Sequence, residues 1–235
     1  FMRKSHLSLE DKMGKRDVVK QNRSKQKRQD LVVILIIAVF AVVIVGLIVL
    51  SKLPKVVTAD VREHPNASEL NMGDPNAPVK VVEFADFQCP YCQMYWEQVE
   101  PGIVKDYVAT GKIYYTYAPM AFLGQESYDS AEAALCANDQ GKFWDYRDML
   151  FANHTGENVG DFTTAKLQAF ASKLGMDTTK FNECLSTGKY KTAVDDANNY
   201  ASSQGVNSTP TIMVNGKLYS AGEAVSAIEA AIAGK

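Results

Sequence analysis

Histidine and cysteine are scarce in this chain of 235 residues, which has three histidines and four cysteines. The four cysteines are Cys89, Cys92, Cys136 and Cys184. Only the first two form a close pair, whereas a zinc site made of four cysteines needs two such pairs. Past residue 50 the only histidines are His64 and His154, and neither is near this pair in sequence. We interpret both as loop residues and predict no metal site.

Net charge is also low, at a formal −2, but the two ends of the chain have opposite signs. Residues 1–30 contain ten Lys or Arg and four Asp or Glu, while residues 51–235 contain fifteen and twenty-three. Between them, Leu31 to Leu50 is a run of twenty uncharged residues. A helix of that length measures about 30 Å, which matches the apolar core of a bilayer. The sequence therefore predicts a transmembrane anchor over residues 31–50, in contact with lipid.

The basic flank from Arg16 to Arg28 predicts the orientation of this anchor. Positive charge beside a membrane span stays in the cytoplasm, so we predict a cytoplasmic basic tail over residues 1–30 and an extracytoplasmic region from about residue 52. We assign the tail to anionic lipid rather than to nucleic acid. A cleaved signal peptide is the alternative, since Val57-Thr58-Ala59 has small residues suited to cleavage. Its apolar part usually has roughly 7–15 residues, fewer than here.

Residues 51–70 are predicted to form a tether, because prolines and polar residues interrupt any regular period. A domain over residues 71–235 follows, in the order β-α-β, a helical block, then β-β-α. The strand patterns are Val79–Ala85, Lys112–Met120, Thr211–Val214 and Lys217–Tyr219, the last two joined by an Asn-Gly hairpin signal. Helical spacing covers Pro90–Val108 with a kink at Pro101, residues 125–204, and Glu223–Ala233.

The Cys89-Pro90-Tyr91-Cys92 motif comes directly after the first strand pattern and begins the first helix pattern. A cysteine at a helix N-terminus has a lowered pKa, because unpaired backbone N–H groups and the helix dipole favour the thiolate. The second cysteine lies one turn further along and can close a small disulfide with the first. This arrangement predicts a redox-active dithiol that performs thiol–disulfide exchange.

If Cys89 pairs with Cys92, the remaining cysteines, Cys136 and Cys184, can form a second disulfide with each other. An even number of cysteines in an oxidising compartment favours disulfides. This second bridge would be structural and would close a loop of about 49 residues, worth roughly 4 kcal/mol. Two buried free thiols in a helical region are the alternative.

Four ordered markers resemble the disulfide bond formation protein A (DsbA) group of thioredoxin-fold proteins, especially its membrane-anchored members. The resemblance covers about residues 70–233. It implies an α/β thioredoxin fold with an inserted helical domain at about residues 122–204, preceded by one N-terminal transmembrane helix. The markers are Gly73-Asp74-Pro75-Asn76-Ala77-Pro78-Val79, Glu83-Phe84-Ala85-Asp86-Phe87-Gln88-Cys89-Pro90-Tyr91-Cys92, Gly141-Lys142-Phe143-Trp144 and Gly205-Val206-Asn207-Ser208-Thr209-Pro210-Thr211.

The same resemblance implies roles for individual residues. Cys89 resembles the exposed cysteine that forms a mixed disulfide with substrate, and Cys92 resembles its buried partner. Thr209-Pro210 resembles the loop in which a cis proline faces the disulfide and pairs with the substrate backbone. Glu83 matches a buried acid, whose raised pKa would let it exchange protons with Cys92. An ordinary carboxylate pointing into water is the alternative for Glu83.

The direction of electron flow is left open by the sequence, and an oxidase of the DsbA type is the first hypothesis. An oxidase would donate the Cys89–Cys92 disulfide to reduced or misoxidised exported proteins, and a membrane quinone-linked partner would reoxidise it. No bound cofactor is predicted. Pro90-Tyr91 replaces the Pro-His pair of strongly oxidising members, so the sequence leaves open a disulfide reductase or isomerase. A non-catalytic thioredoxin-fold chaperone module is a third hypothesis, which the intact pair of cysteines disfavours.

Overall fold

One long helix, α1 (Lys15–Ser51), forms the described part of the first of two units, which divide after Leu53. The computed structural model describes residues 14–51 and 54–234. Within α1, Lys25–Ile48 is long and apolar enough to cross a membrane by length and composition. The predicted anchor, residues 31–50, lies in this helix, and the basic flank from Lys15 continues the same helix. The orientation of the anchor stays a prediction.

The second unit is built on a sheet of five strands. They are β1 (Asn71–Gly73), β2 (Val79–Ala85), β3 (Ile113–Pro119), β4 (Thr211–Val214) and β5 (Lys217–Ser220). Their order is β1-β3-β2-β4-β5. The β2 and β3 strands run parallel, and every other neighbouring pair is antiparallel. Because β2 is the middle strand, its last residues are buried from both sides, Glu83 included.

The helix that follows the cysteine motif is broken, as the position of Pro101 predicted. It consists of α2 (Pro90–Gln98), α3 (Glu100–Ile103) and a π-helical turn over Val104–Val108. A proline lacks the N–H group that would continue the hydrogen-bond ladder of α2. The break at Val99 starts a new helix whose first residue, Glu100, is turned into the interior, where it is 2% exposed.

Five helices form the block between β3 and β4. They are α4 (Gln125–Asn138), α5 (Phe143–Asn153), α6 (Thr164–Lys173), α7 (Thr178–Ser186) and α8 (Lys191–Ser203). The last helix, α9 (Ala224–Ile232), follows the β4–β5 hairpin. The predicted α/β fold with an inserted helical domain is confirmed. Cys136 on α4 and Cys184 on α7 are joined by a disulfide, with their Cα atoms 5.9 Å apart.

Aromatic side chains fill the core between the sheet and the helical block. Phe87 stacks on Tyr117 with ring centroids 5.4 Å apart, and Phe143 and Trp144 meet edge to face. Phe143, Trp144 and Tyr146 are at most 4% exposed, so this aromatic stretch belongs to the core. This packing fixes the position of α5 against the sheet.

The segment predicted as a tether covers residues 51–70, of which Ser51 is the last residue of α1 and residues 54–70 are described next. Residues 54–64 form no helix or strand, yet they are fastened to the domain. The Asn153 side chain bonds both the N–H and the carbonyl of Val57, at 2.7 and 2.8 Å. The Arg62 guanidinium lies 3.8 Å over the Trp96 ring and donates to the Trp96 carbonyl. After this segment comes β1, a strand that the sequence pattern did not predict.

Candidate active site

The two cysteines of the motif lie where β2 gives way to α2. Cys89 is the N-cap residue of α2, and Pro90 occupies the first turn, where its missing N–H costs no hydrogen bond. Both cysteines carry free thiols. Cys92 has no exposed surface, and Cys89 is only 5% exposed. Cys89 is thus the more accessible of the two, although far more enclosed than its expected role suggested.

The surroundings of the two thiols shift their pKa values in opposite directions. The pKa of Cys89 is lowered to about 6, first by a hydrogen bond from the Cys92 thiol and further by the Thr209 side chain and the backbone N–H groups of Tyr91 and Cys92. Burial opposes this shift. The pKa of Cys92 is raised well above its ordinary value by burial and by the neighbouring Cys89. At neutral pH, Cys89 is therefore the thiolate and Cys92 the thiol.

The Thr209-Pro210 loop faces this pair from the start of β4. Its peptide bond is cis, and the Thr209 carbonyl lies 3.4 Å from the Cys89 sulfur, where it accepts a hydrogen bond from the protonated thiol. The Thr209 hydroxyl is buried and has no hydrogen-bond partner within the described residues, and its position beside the two sulfur atoms lowers the pKa of both cysteines. The structure thus brings Thr209, Pro210, Cys89 and Cys92 together as the resemblance implied.

Glu83 lies on β2 with no exposed surface, so the alternative of a carboxylate in water is wrong. Tyr115 on β3 donates a 2.7 Å hydrogen bond to its Oε2 atom. Burial and the neighbouring Glu100 raise the pKa of Glu83 to about 8, although Arg147 and Tyr115 oppose the shift. A negative charge on Glu83 in turn raises the pKa of Cys92. The two groups are therefore electrostatically coupled.

A buried ionic cluster lies behind Glu83, and no motif in the sequence predicted it. Its centre is Arg147 on α5, which has no exposed surface. Arg147 Nη1 and Nη2 donate to the two carboxylate oxygens of Glu100 at 2.7 and 2.5 Å, and Nη2 also donates to Asp148 at 3.0 Å. The burial of Arg147 could have been predicted from its position. It is one helical turn from the apolar Phe143 and therefore on the apolar face of α5.

The two histidines past residue 50 were expected in loops, and each lies outside the helices and strands beside a polar side chain. His64 is in the irregular segment before β1, with Nε2 3.0 Å from Asp148 Oδ2. His154 follows α5, and its Nδ1 atom lies 3.2 Å from the Gln93 side-chain oxygen. Within residues 14–51 and 54–234, no group of three or more His, Cys, Asp or Glu side chains is placed to hold a metal ion.

Comparison with known proteins agrees with this geometry. A family model described as Thioredoxin matches residues 66–233. The chain belongs to the thioredoxin family. One solved structure that it resembles is oxidised BdbD from Bacillus subtilis, with a TM-score of 0.65 and 25% identity. The match covers 75% of this chain and 100% of that one.

Curated relatives connect this thioredoxin-family chain with two kinds of protein. Disulfide bond formation protein D of Bacillus subtilis is 29% identical over 152 residues, which are 63% of this chain and 68% of that protein. The Na(+)/H(+) antiporter NhaA 1 of Salinispora arenicola is 32% identical over 162 residues, 68% of this chain. The chain spans only 24% of that antiporter's length. The resemblance to the DsbA group is confirmed by the first relative and the BdbD structure.

Proposed function

We propose that this protein is an extracytoplasmic thiol:disulfide oxidoreductase that donates a Cys89–Cys92 disulfide to exported proteins. The observation that carries the proposal is the opposite shift of the two thiol pKa values at the head of α2, beside the Thr209-Pro210 loop. The similarity to disulfide bond formation protein D supports the same reaction class.

The reaction transfers two electrons from a substrate dithiol to the cysteine pair. A substrate thiolate attacks the Cys89 sulfur of the disulfide, and Cys92 leaves and takes up a proton. The second substrate thiolate then attacks the substrate sulfur of this mixed disulfide and releases Cys89. Cys89 leaves readily because its thiolate is stable at neutral pH, and a leaving thiol of low pKa departs faster.

Glu83 would supply the proton that Cys92 needs. With a pKa of about 8, the Glu83 carboxyl is largely protonated at neutral pH, and it is buried on the strand that leads to the motif. When Cys92 leaves as a thiolate, the proton can pass to it, and it can return when the disulfide is restored. A general acid is most effective when its pKa lies near the working pH.

The low pKa of Cys89 also favours the oxidase direction over the reductase. Stabilising the thiolate stabilises the reduced form, which makes the disulfide a stronger oxidant. Strongly oxidising members have histidine at the position of Tyr91. The Tyr91 side chain is 66% exposed, and only its backbone N–H helps to stabilise the Cys89 thiolate. Exported proteins with free or wrongly paired cysteines are the proposed substrates, and a membrane quinone-linked protein is the proposed reoxidant.

The full chain, purified in detergent with its Cys89–Cys92 pair oxidised, provides the direct test. We expect it to oxidise reduced, unfolded ribonuclease and to be a poor reductant of insulin. Cys89→Ser should abolish exchange, and Cys92→Ser should accumulate mixed disulfides visible on a non-reducing gel. Efficient insulin reduction would instead support the reductase or isomerase. If both assays show no activity, the chaperone module is favoured.

A further inference from the structure

Arg147 is shared unequally among three buried carboxylates. It forms a bidentate ion pair with Glu100 and donates a 3.0 Å hydrogen bond to Asp148. Its nearest contact with Glu83 is 3.8 Å, from Nη1 to Oε2, which is beyond hydrogen-bonding distance. The only guanidinium beside Glu83 among the described residues is therefore committed elsewhere.

The charge balance of this cluster disfavours a third anion. Arg147 is one positive charge beside Glu100 and Asp148, both of which are at most 3% exposed. If Glu83 were also ionised, three carboxylates would share this one guanidinium, with His64 adjoining only Asp148. Buried charges without a full partner are costly, so Glu83 favours its neutral form.

The other titratable groups around Glu83 do not compensate for this deficit. From β3 come Tyr115 and Tyr117, and from α2 come Cys92 and Tyr95. On the opposite side, β4 presents Ile212 in register with Glu83. Tyr115 donates to Oε2, while Oε1 has no hydrogen-bond partner within the described residues. Burial is the largest cause of the weakened acidity of Glu83, and the division of Arg147 between Glu100 and Glu83 adds to it.

We propose that Glu100 is a positioning residue of the exchange reaction. By holding Arg147 in a bidentate ion pair, it keeps that cation from hydrogen-bonding to Glu83, and the Glu83 carboxyl remains free to carry a proton for Cys92. This inference rests on the proposed function, because it assigns Glu83 the role of proton donor. The kink at Pro101 contributes, since it places Glu100 at the start of α3 and inside the domain.

Glu100→Gln is the decisive variant, because glutamine keeps the size and an accepting oxygen but removes the charge. The Glu83 carboxyl is followed by ¹³C NMR of the reduced full chain in detergent with labelled glutamate, and its signal is identified by its loss in Glu83→Gln. We expect the Glu83 titration midpoint to fall by about one pH unit, a tenfold loss of proton affinity. Exposed Glu97, which lies before the kink, gives the matched control Glu97→Gln with no shift.

Arg147→Met gives a second arm of opposite sign, in which the Glu83 midpoint should rise. If that variant does not fold, Glu100→Gln still decides. The pH profile of ribonuclease oxidation should move down with the Glu83 midpoint in Glu100→Gln, whereas damage to packing alone would lower the rate at every pH. An unchanged or raised midpoint in folded Glu100→Gln overturns the inference. Since NMR reads Glu83 without turnover, an inactive wild-type chain would contradict the proposed function and leave this measurement valid.

Discussion

Cys89 and Cys92 illustrate how identical side chains acquire different chemistry from their positions. Cys89 caps a helix and receives hydrogen bonds, which stabilise its anion, while Cys92 is inside the helix and wholly buried. The difference was predictable from sequence, because an N-cap cysteine before proline is defined locally. The effect of the Thr209 side chain on the pKa of Cys89 was not predictable locally, because the two residues are 120 positions apart.

Thr209→Val should raise the pKa of Cys89 by about one unit, since it removes a hydroxyl that favours the thiolate. Because the wild-type thiol ionises near pH 6, its alkylation rate rises as the pH passes upward through about 6. In the valine variant, this rise should occur at higher pH. Thr209→Ser keeps the hydroxyl and is the control. Identical alkylation profiles in the valine variant and the wild type would rule out the hydroxyl as a cause.

At the residue scale, the sequence predicted the burial of Glu83 but not the ion pair beside it. The burial of Glu83 on the central strand followed from the DsbA resemblance and the apolar residues beside it. Arg147 and Glu100 are 47 positions apart in sequence. Only the packing of α5 against the kinked helix makes them a pair, and no local pattern encodes that contact.

Among the elements, the strands and helices of the domain follow their sequence patterns closely. The predicted strands over Val79–Ala85 and Thr211–Val214 coincide with β2 and β4. The first strand, β1, was missed because it has three residues and contains a glycine at positive φ. It exists through pairing with β3, in which Met72 is opposite Tyr115. Tertiary context overrides a weak local propensity there.

Asn153→Ala should release the segment before β1 from the helical block. The change removes both hydrogen bonds that hold the Val57 backbone and one to the Met149 carbonyl. We expect a loss of about 1–3 kcal/mol in local stability, seen as faster amide hydrogen exchange at Val57 and Ala59. Lys55→Ala alters an exposed side chain of the same segment and should have no effect. Equal exchange rates in both variants would mean that other contacts hold the segment.

For the molecule as a whole, the Cys136–Cys184 bridge is the main covalent constraint on the helical block. Replacing both cysteines by alanine should lower the free energy of unfolding by about 4 kcal/mol, because the unfolded chain would regain the freedom of a loop of about 49 residues. Urea denaturation measures this loss. Ribonuclease oxidation at a temperature where the variant stays folded should be largely unchanged. If the folded variant cannot turn over, the second pair relays electrons.

The fold of the domain was predictable from sequence because its local patterns all indicated the same fold. The motif, the central strand pattern, the hairpin signal and the helical block were each readable locally, and their order matched a known group. How the segment before β1 attaches was not readable, since Arg62 and Asn153 meet their partners only after the helices have packed.

The near-complete enclosure of Cys89 bears on which proteins the active site can accept. Only 5% of the Cys89 surface reaches solvent, so little of the residue is open to an approaching thiol. For the proposed exchange reaction, an extended segment of an unfolded chain would reach the Cys89 sulfur more readily than the surface of a rigid, folded protein. Such steric filtering would sort substrates by their state of folding rather than by the residues around the cysteine.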